Sequence, residues 1–131
     1  FIAGVPLYST LVAVSRGGQP FIGVILLPAL QQIVFAMRGD GAWTNADPNY
    51  GCFKPAKVSR VAQLQESIFV TTQNDSFATR QAIEHYRRLE QACYVTRTWG
   101  DGYGYFMVAT GRAELMVDPI VNAWDVAAVM P

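Results

Sequence analysis

The stretch that decides the fold is RTWGDGYGYFMVATGRAELMVD, residues 97–118. Its pattern predicts the end of a strand that starts at Tyr94, then a glycine-rich turn and a helix over residues 104–110 that Gly111 ends, and finally a strand over residues 113–117. Strands and helices that alternate along a chain are typical of α/β proteins. The second half of this chain is therefore predicted to be α/β.

The first half has a different pattern, in which apolar, β-branched segments alternate with short turns. This pattern favours a meander of antiparallel hairpins, and its nearly continuous apolarity predicts strands that are buried on both faces. After a loop and a further strand, apolar residues at helical spacing predict one helix that Asp75 or Ser76 caps and that continues to Cys93. The predicted strands comprise residues 7–14, 20–27, 32–37, 42–44 and 67–72, and the predicted loop comprises residues 45–57.

The composition indicates a globular chain without a strongly charged surface. Of 131 residues, 51% are hydrophobic, and ten basic residues balance ten acidic ones. We expect one domain over residues 1–131, with neither nucleic acid nor membrane as a partner, because both favour a positively charged face. The apolar run at residues 21–27 is too short to span a bilayer. Cys52 and Cys93 lack metal-ligand spacing and are predicted to be free thiols in a cytoplasmic protein.

Two aspartates near the end of the chain are candidates for binding chemistry. Asp118 ends a predicted strand, and Asp125 follows seven residues later in the first turn of a predicted helix. Such a loop can bring both carboxylates to the carboxyl edge of a sheet, where α/β proteins usually bind ligands. Carboxylate oxygens are also the ligands that Mg²⁺ takes. A helix cap at Asp125 and a turn at Asp118, before Pro119, explain the same spacing.

The segment Gly100-Asp101-Gly102 follows one strand and precedes a helix. Its glycines allow a ligand to approach the backbone, and amides at a helix start can bind an anion. Asp101 could pair with a cationic group of a substrate. A simple turn with a capping aspartate explains the segment equally well.

The sequence offers no constellation for nucleophilic catalysis. His85 is the one histidine of the chain, and it lies beside the charged side of the predicted helix, as a solvated surface residue does. No G-x-S-x-G motif occurs, and neither cysteine has a histidine neighbour. We therefore expect no covalent mechanism from these residues.

Several separated motifs, in order along the chain, resemble the inositol monophosphatase-like family of Mg²⁺-dependent phosphomonoesterases. The likeness is strongest to its histidinol-phosphate phosphatase branch. It covers essentially the whole chain, and the segment WDVAA is similar to the family's C-terminal signature. The motifs are GVPLY (4–8), GVI (23–25), GDGAWTN (39–45), RTWGD (97–101), YGY (103–105), VATGRAE (108–114), VDP (117–119) and WDVAA (124–128).

The resemblance implies roles for five residues. Asp125 would be a metal ligand, and Asp118 would hold the organic part of the substrate. Gly100, Asp101 and Gly102 would line the substrate pocket. An acid at position 101 suits an amine-bearing substrate such as histidinol phosphate, because a buried acid needs a cationic partner.

The resemblance further implies part of a layered αβαβα sandwich, Mg²⁺ as cofactor, a homodimer, a small phosphorylated metabolite as substrate, and a place in histidine biosynthesis. The family's upstream glutamate and aspartate-rich metal motif would precede Phe1. We therefore expect no catalytic residue within the 131, weak Mg²⁺ binding and little turnover by them alone. Two alternatives are a phosphatase for inositol phosphate or another small phosphomonoester, and a non-catalytic, self-associating piece of the fold.

Overall fold

A computed structural model describes residues 2–45 and 52–131 of the chain. The chain divides into two compact units, which are described separately. Unit 1 comprises Phe1–Lys57 and Asn122–Pro131, and unit 2 comprises Val58–Val121. Residues 46–51 of the predicted loop lie outside the described residues, and the expected single domain over residues 1–131 stays a prediction.

Unit 1 contains an antiparallel sheet of five described strands, each of which pairs with the next one along the chain. This confirms the predicted meander for the first four strands, whereas the fifth lies within residues 45–57, which were predicted to be a loop. Gly17 and Gly18 turn the first hairpin with φ of 59° and 77°, a backbone conformation that glycine adopts without steric cost. The strands are β1 (Thr10–Arg16), β2 (Gln19–Leu27), β3 (Gln32–Met37), β4 (Gly41–Thr44) and β5 (Lys54–Pro55), and a 3₁₀ turn over Pro28–Leu30 separates β2 from β3.

The two faces of this sheet differ in burial. Ile25, Leu27 and Val34 are buried on one face. The opposite face, here called the open face, consists of two cross-strand rows that are apolar but partly exposed. The prediction of burial on both faces is therefore wrong, most clearly for β1, because an apolar run marks a strand without specifying what packs on each face. The rows of the open face are Val12–Val24–Phe35–Trp43 and Val14–Ile22–Met37.

The end of the chain adds a short helix to unit 1. This helix, α4, spans Ala123–Val126 and is followed by Ala128, which is buried. A Cβ at Gly23 would collide with the carbonyl oxygen of Ala128. Gly23 is thus required in β2 because the backbone after α4 approaches it closely.

Unit 2 contains a parallel sheet in the order β7-β6-β8, with helices between its strands in sequence. This confirms the predicted alternation of strands and helices. The strands are β6 (Ile68–Val70), β7 (Val95–Arg97) and β8 (Leu115–Met116), and the helices are α1 (Asp75–Thr79), α2 (Ile83–Ala92) and α3 (Asp101–Ala109).

The single helix predicted to run from Asp75 or Ser76 to Cys93 is wrong, because the chain forms α1 and α2 instead. Gln81 lies between them with φ of 55°. The amide of Ala82 donates to the carbonyl of Phe77 at 2.7 Å, which closes the end of α1. Glycine usually occupies such a left-handed position. Because position 81 is a glutamine, the sequence does not indicate that the helix ends there.

Helix α3 begins at Asp101, three residues before the predicted start. Gly102 and Gly104 are buried within it. A Cβ at Gly104 would lie 2.6 Å from the sulfur of Met116 and 2.9 Å from the carbonyl oxygen of Trp99. Gly104 therefore serves close packing of this helix against neighbouring chain segments.

None of the described helices is long and apolar enough to cross a membrane. Cys52 is exposed and Cys93 is half-buried, and both are free thiols, as predicted. Burial, together with the negative charge of Glu114, raises the pKa of the Cys93 thiol. His85 is exposed on α2, which confirms its assignment as a surface residue.

Two clusters of buried residues described in unit 2 lie on opposite faces of its sheet. Phe69 packs with Phe77 and Tyr86 on one face. Val70 packs with Met107 on the other. Because neighbouring residues of a strand point to opposite faces, β6 supplies one anchor to each cluster.

Tyr86 makes the fold less stable at high pH. Burial, and then a 2.8 Å hydrogen bond from its hydroxyl to Glu90, raise its pKa from 10.0 to about 12. Between these values the unfolded tyrosine loses its proton while the folded one retains it. We therefore expect the free energy of unfolding to fall as the pH rises from 10 to 12. In urea titrations, Tyr86→Phe should flatten this fall, and parallel curves for both proteins would contradict the prediction.

Thr96 carries a buried hydroxyl oxygen that has no hydrogen-bond partner among the described residues. Replacing it with the isosteric valine removes an unsatisfied polar group without leaving a cavity. We expect Thr96→Val to stabilise the protein by about 1 kcal/mol in urea unfolding. Thr79→Val is the matched control, because that exposed hydroxyl has a helix carbonyl to bond at 3.2 Å and should bring no gain. A loss of stability in Thr96→Val would show that its hydroxyl does have a partner.

Candidate functional site

The candidate site lies where the three parallel strands of unit 2 end. Strand β6 is central, with β7 on one side and β8 on the other. Thr72 follows β6, Asp101 follows β7, and Asp118 follows β8. The carboxyl ends of parallel strands meet at one edge of the sheet, which is the usual binding edge of α/β proteins. The structure thus brings Asp101 and Asp118 to one place, around Thr72.

Asp118 is held by hydrogen bonds from the loop after β6. Its Oδ1 accepts from the Thr72 amide at 2.8 Å and from the Thr71 hydroxyl at 3.3 Å. Its Oδ2 accepts from the Thr72 hydroxyl at 2.8 Å. Both oxygens of this half-buried carboxylate are therefore engaged, and its plane is fixed. The turn explanation is insufficient, because the partners lie 46 and 47 residues away in sequence.

Asp101 opens α3 in an unusual backbone conformation. Its φ is 52°, in the left-handed region, which aspartate tolerates better than most residues. Its amide donates to the Thr72 hydroxyl at 3.1 Å, and its carboxylate approaches the same hydroxyl at 3.5 Å. The carboxylate is exposed, so the expectation that a buried acid at this position needs a cationic partner is wrong, and it has no shorter hydrogen bond among the described residues. It can accept a cationic or hydroxyl group of a ligand.

Gly100 and Gly102 are the other two residues of the predicted pocket, and Gly100 serves packing. A Cβ at Gly100 would collide with the backbone N and Cα of Thr72. Gly102 is buried in the first turn of α3. Their proposed role in lining a substrate pocket stays a prediction.

Asp125 lies in unit 1, in the first turn of α4. Its Oδ2 accepts from the backbone amide of Asn122 at 2.7 Å and from the side-chain amide of Asn122 at 3.1 Å, while the Asn122 side chain accepts from the Asp125 amide. This reciprocal arrangement is a capping box. The capping alternative for Asp125 is confirmed, whereas its role as a metal ligand, and its meeting with Asp118 at one rim, stay predictions.

The described residues do not form a complete metal site. Nowhere in residues 2–45 and 52–131 do three or more His, Cys, Asp or Glu side chains come together in a way that could hold an ion. Mg²⁺ takes six oxygen ligands, of which the protein usually supplies one or two beside water and phosphate. Asp125 has the right chemistry for one of these ligands, but by itself it does not make a site.

Thr72 is the site residue that the sequence reasoning missed. It makes more hydrogen bonds to the candidate acids than any other described residue, yet it belongs to no motif that was singled out. Its position in the sequence could have indicated a site residue, because Thr71 and Thr72 are polar and directly follow the apolar strand Ile68–Val70. Polar side chains at that end of a parallel strand are candidates for a binding site.

An exposed cation lies beside the same edge. The guanidinium of Arg97, at the end of β7, is 5.8 Å from the ring centre of Trp99 and donates to the carbonyl of Thr96 at 2.8 Å. This geometry is a cation–π contact. It places one positive charge on the same loop as Asp101.

Comparison with known proteins identifies the family. A model of the inositol monophosphatase family matches residues 1–131. A histidinol-phosphatase of Chlorobaculum parvum is 38% identical over 131 residues, which are 100% of this chain and 48% of that protein. A histidinol-phosphatase of Mycobacterium tuberculosis is 32% identical over 131 residues, covering 98% of this chain and 49% of that protein. The chain thus spans about half the length of the curated relatives it matches.

A solved structure shows the same fold. An inositol monophosphatase from Zymomonas mobilis superposes with a TM-score of 0.87 at 24% identity, over 100% of this chain and 49% of that one. This likeness confirms the predicted mixed α/β fold class. Together with the family match over all 131 residues, it confirms the resemblance seen in the motifs: the chain belongs to the inositol monophosphatase family.

Proposed function

We propose that this chain is part of a Mg²⁺-dependent phosphomonoesterase whose substrate is histidinol phosphate. The observation that carries the proposal is the pair of carboxylates, Asp101 and Asp118, around Thr72 at the carboxyl edge of the parallel sheet. The 38% identity to a protein named histidinol-phosphatase supports the choice of substrate. The substrate would be a small phosphorylated metabolite of histidine biosynthesis. The protein would be a homodimer in the cytoplasm.

The two acids differ in what they can offer a substrate. Both oxygens of Asp118 already accept hydrogen bonds from the loop after β6, whereas the Asp101 carboxylate is exposed. An ammonium group is attracted to such a carboxylate, and a neutral polyol is attracted less. We assign the amine of the substrate to Asp101 and a hydrogen-bonding or charged group of the same moiety to Asp118. Gly100 and Gly102 would border this pocket.

Asp125 would supply one ligand of the Mg²⁺ site. Its capping bonds go to Oδ2, so Oδ1 is the oxygen available for an ion. When bound, the metal supplies charge neutralisation at the phosphate and a water of lowered pKa. The other ligands would have to come from residues beyond those described here, and we expect the 131-residue chain alone to bind Mg²⁺ weakly and turn over little substrate.

The test is phosphate release by the full-length protein from L-histidinol phosphate and from inositol 1-phosphate, with Mg²⁺ and with a chelator. We expect hydrolysis of histidinol phosphate that the chelator abolishes. Asp101→Asn should lower the ratio of kcat/KM for histidinol phosphate to that for inositol 1-phosphate about tenfold, because one charge-assisted hydrogen bond is lost while asparagine tolerates the left-handed backbone at this position. His85→Gln, an exposed change on α2, serves as the control. No phosphate release from histidinol phosphate with Mg²⁺ present would refute the proposal.

A second substrate class keeps the same chemistry. The structural relative from Zymomonas mobilis is named an inositol monophosphatase, which favours inositol phosphate or another small phosphomonoester. The same assay separates the two. An unchanged substrate ratio in Asp101→Asn would remove the argument for an amine-bearing substrate.

A different kind of function, self-association without catalysis, is favoured by the open face of unit 1. Val12 and Val14 are 49% and 50% exposed, and β1 has a free edge among the described strands. Sedimentation of the isolated 131-residue chain tests it. A stable oligomer without phosphatase activity would support self-association, and a monomer would count against it.

A further inference from the structure

We propose that Thr72 is a positioning residue that holds the two acids of the substrate pocket in one fixed arrangement. The inference rests on the proposed function, since it concerns the same pocket. It adds a residue that belongs to none of the motifs carrying the family resemblance.

The topology of unit 2 explains why Thr72 can contact both Asp101 and Asp118. Strand β6 lies between β7 and β8, so the loop after β6 lies between the loops that carry Asp101 and Asp118. Residues of the two outer loops lie 29 and 46 positions away from Thr72 in sequence. A residue after the central strand can therefore contact both neighbouring loops.

The hydroxyl of Thr72 has one proton to donate and two lone pairs to accept with. The Asp101 amide can only donate, so it occupies a lone pair at 3.1 Å. The Asp118 carboxylate can only accept, so it receives the proton at 2.8 Å. The 3.5 Å approach to Asp101 Oδ1 is then too long, and lacks a proton, for a further bond. The hydroxyl therefore fixes Asp118 and the backbone of Asp101, and it leaves the Asp101 carboxylate free for a ligand.

A second bond from the same residue completes the arrangement. The Thr72 amide donates to Oδ1 of Asp118 at 2.8 Å while the hydroxyl donates to Oδ2. Two donors from one residue to the two oxygens of one carboxylate fix its rotation as well as its position. Gly100 packs directly on the backbone of Thr72, so Thr72 itself has little room to move.

The substitution Thr72→Val tests the inference in the full-length enzyme, because valine keeps the shape and the amide but removes the hydroxyl. We expect kcat/KM for L-histidinol phosphate to fall about tenfold or more, mainly through KM. Hydrolysis of p-nitrophenyl phosphate, which has no amine, should fall much less. Thr72→Ser keeps the hydroxyl and should recover most of the lost kcat/KM.

The controls separate positioning from mere stability. Thr79→Val removes an exposed helix hydroxyl outside the site and should change neither substrate's kinetics. If Thr72→Val lowered kcat/KM for both substrates equally, or if Thr72→Ser did not recover it, the inference would be overturned.

A second measurement tests the hydrogen bond between the Thr72 hydroxyl and Asp118 without any activity assay. It remains decisive if the wild-type enzyme releases no phosphate, a result that would refute only the proposed function. In urea unfolding of the full-length protein, Thr72→Val and Asp118→Ala, which removes the carboxylate altogether, are compared with the double variant. If the hydroxyl holds Asp118, the double variant loses less stability than the two single losses combined. Strictly additive losses would overturn the inference.

Discussion

Replacing Asp125 with asparagine in the full-length protein should lower kcat for phosphate release about a hundredfold or more, because a metal site that loses a carboxylate loses several kcal/mol of charge stabilisation. The substitution also removes one negative charge from the proposed Mg²⁺ site. A titration of the rate with Mg²⁺ should therefore show a higher half-saturating concentration. Both readouts follow directly from assigning Asp125 as a ligand.

The choice of asparagine separates ligation from helix capping. The side-chain oxygen of asparagine can still accept from the Asn122 amide, so α4 should remain capped. Asn122→Ala is the matched control, because it removes the other half of the capping box and leaves the Asp125 carboxylate in place. It should cost about 1 kcal/mol of stability, measured by urea unfolding, and leave the rate near that of the wild type. If Asn122→Ala lowered the rate as much as Asp125→Asn does, capping alone would explain the role of Asp125.

Replacing Gly100 with alanine should destabilise the full-length protein by about 3 kcal/mol or more, because the added Cβ collides with backbone atoms of Thr72, which cannot move aside as a flexible side chain does. The φ of Gly100 is −77°, so backbone strain at this position contributes nothing to the loss. The effect is therefore a measure of the packing between the loops after β6 and β7. Urea unfolding gives the free energy directly.

Gly18→Ala is the control for this variant. No described atom lies within 4 Å of a Cβ at Gly18, but its φ of 77° is unfavourable for alanine. We expect a loss of about 1 to 2 kcal/mol, from backbone strain alone. A loss in Gly100→Ala that is no larger than in Gly18→Ala would show that the loops do not pack as closely as the structure has them.

Local features of the sequence were sufficient for most elements. Glycine-containing turns and apolar runs predicted the hairpins of unit 1, and β3 has the predicted bounds, Gln32–Met37. The capping signature at Asn122 and Asp125 likewise involves residues three apart. The break at Gln81 could not be predicted in the same way, because a left-handed residue other than glycine leaves no compositional sign.

The same distinction between local and tertiary information holds for the candidate site. The sequence by itself determined that two acids, Asp101 and Asp118, follow predicted strands, because short segments of sequence encode strand ends and glycine-rich turns. Only the tertiary structure decided that both acids meet at Thr72. The physical reason is that this contact depends on the order β7-β6-β8 of the strands. That order results from the packing of distant segments, and no short segment of the sequence carries it.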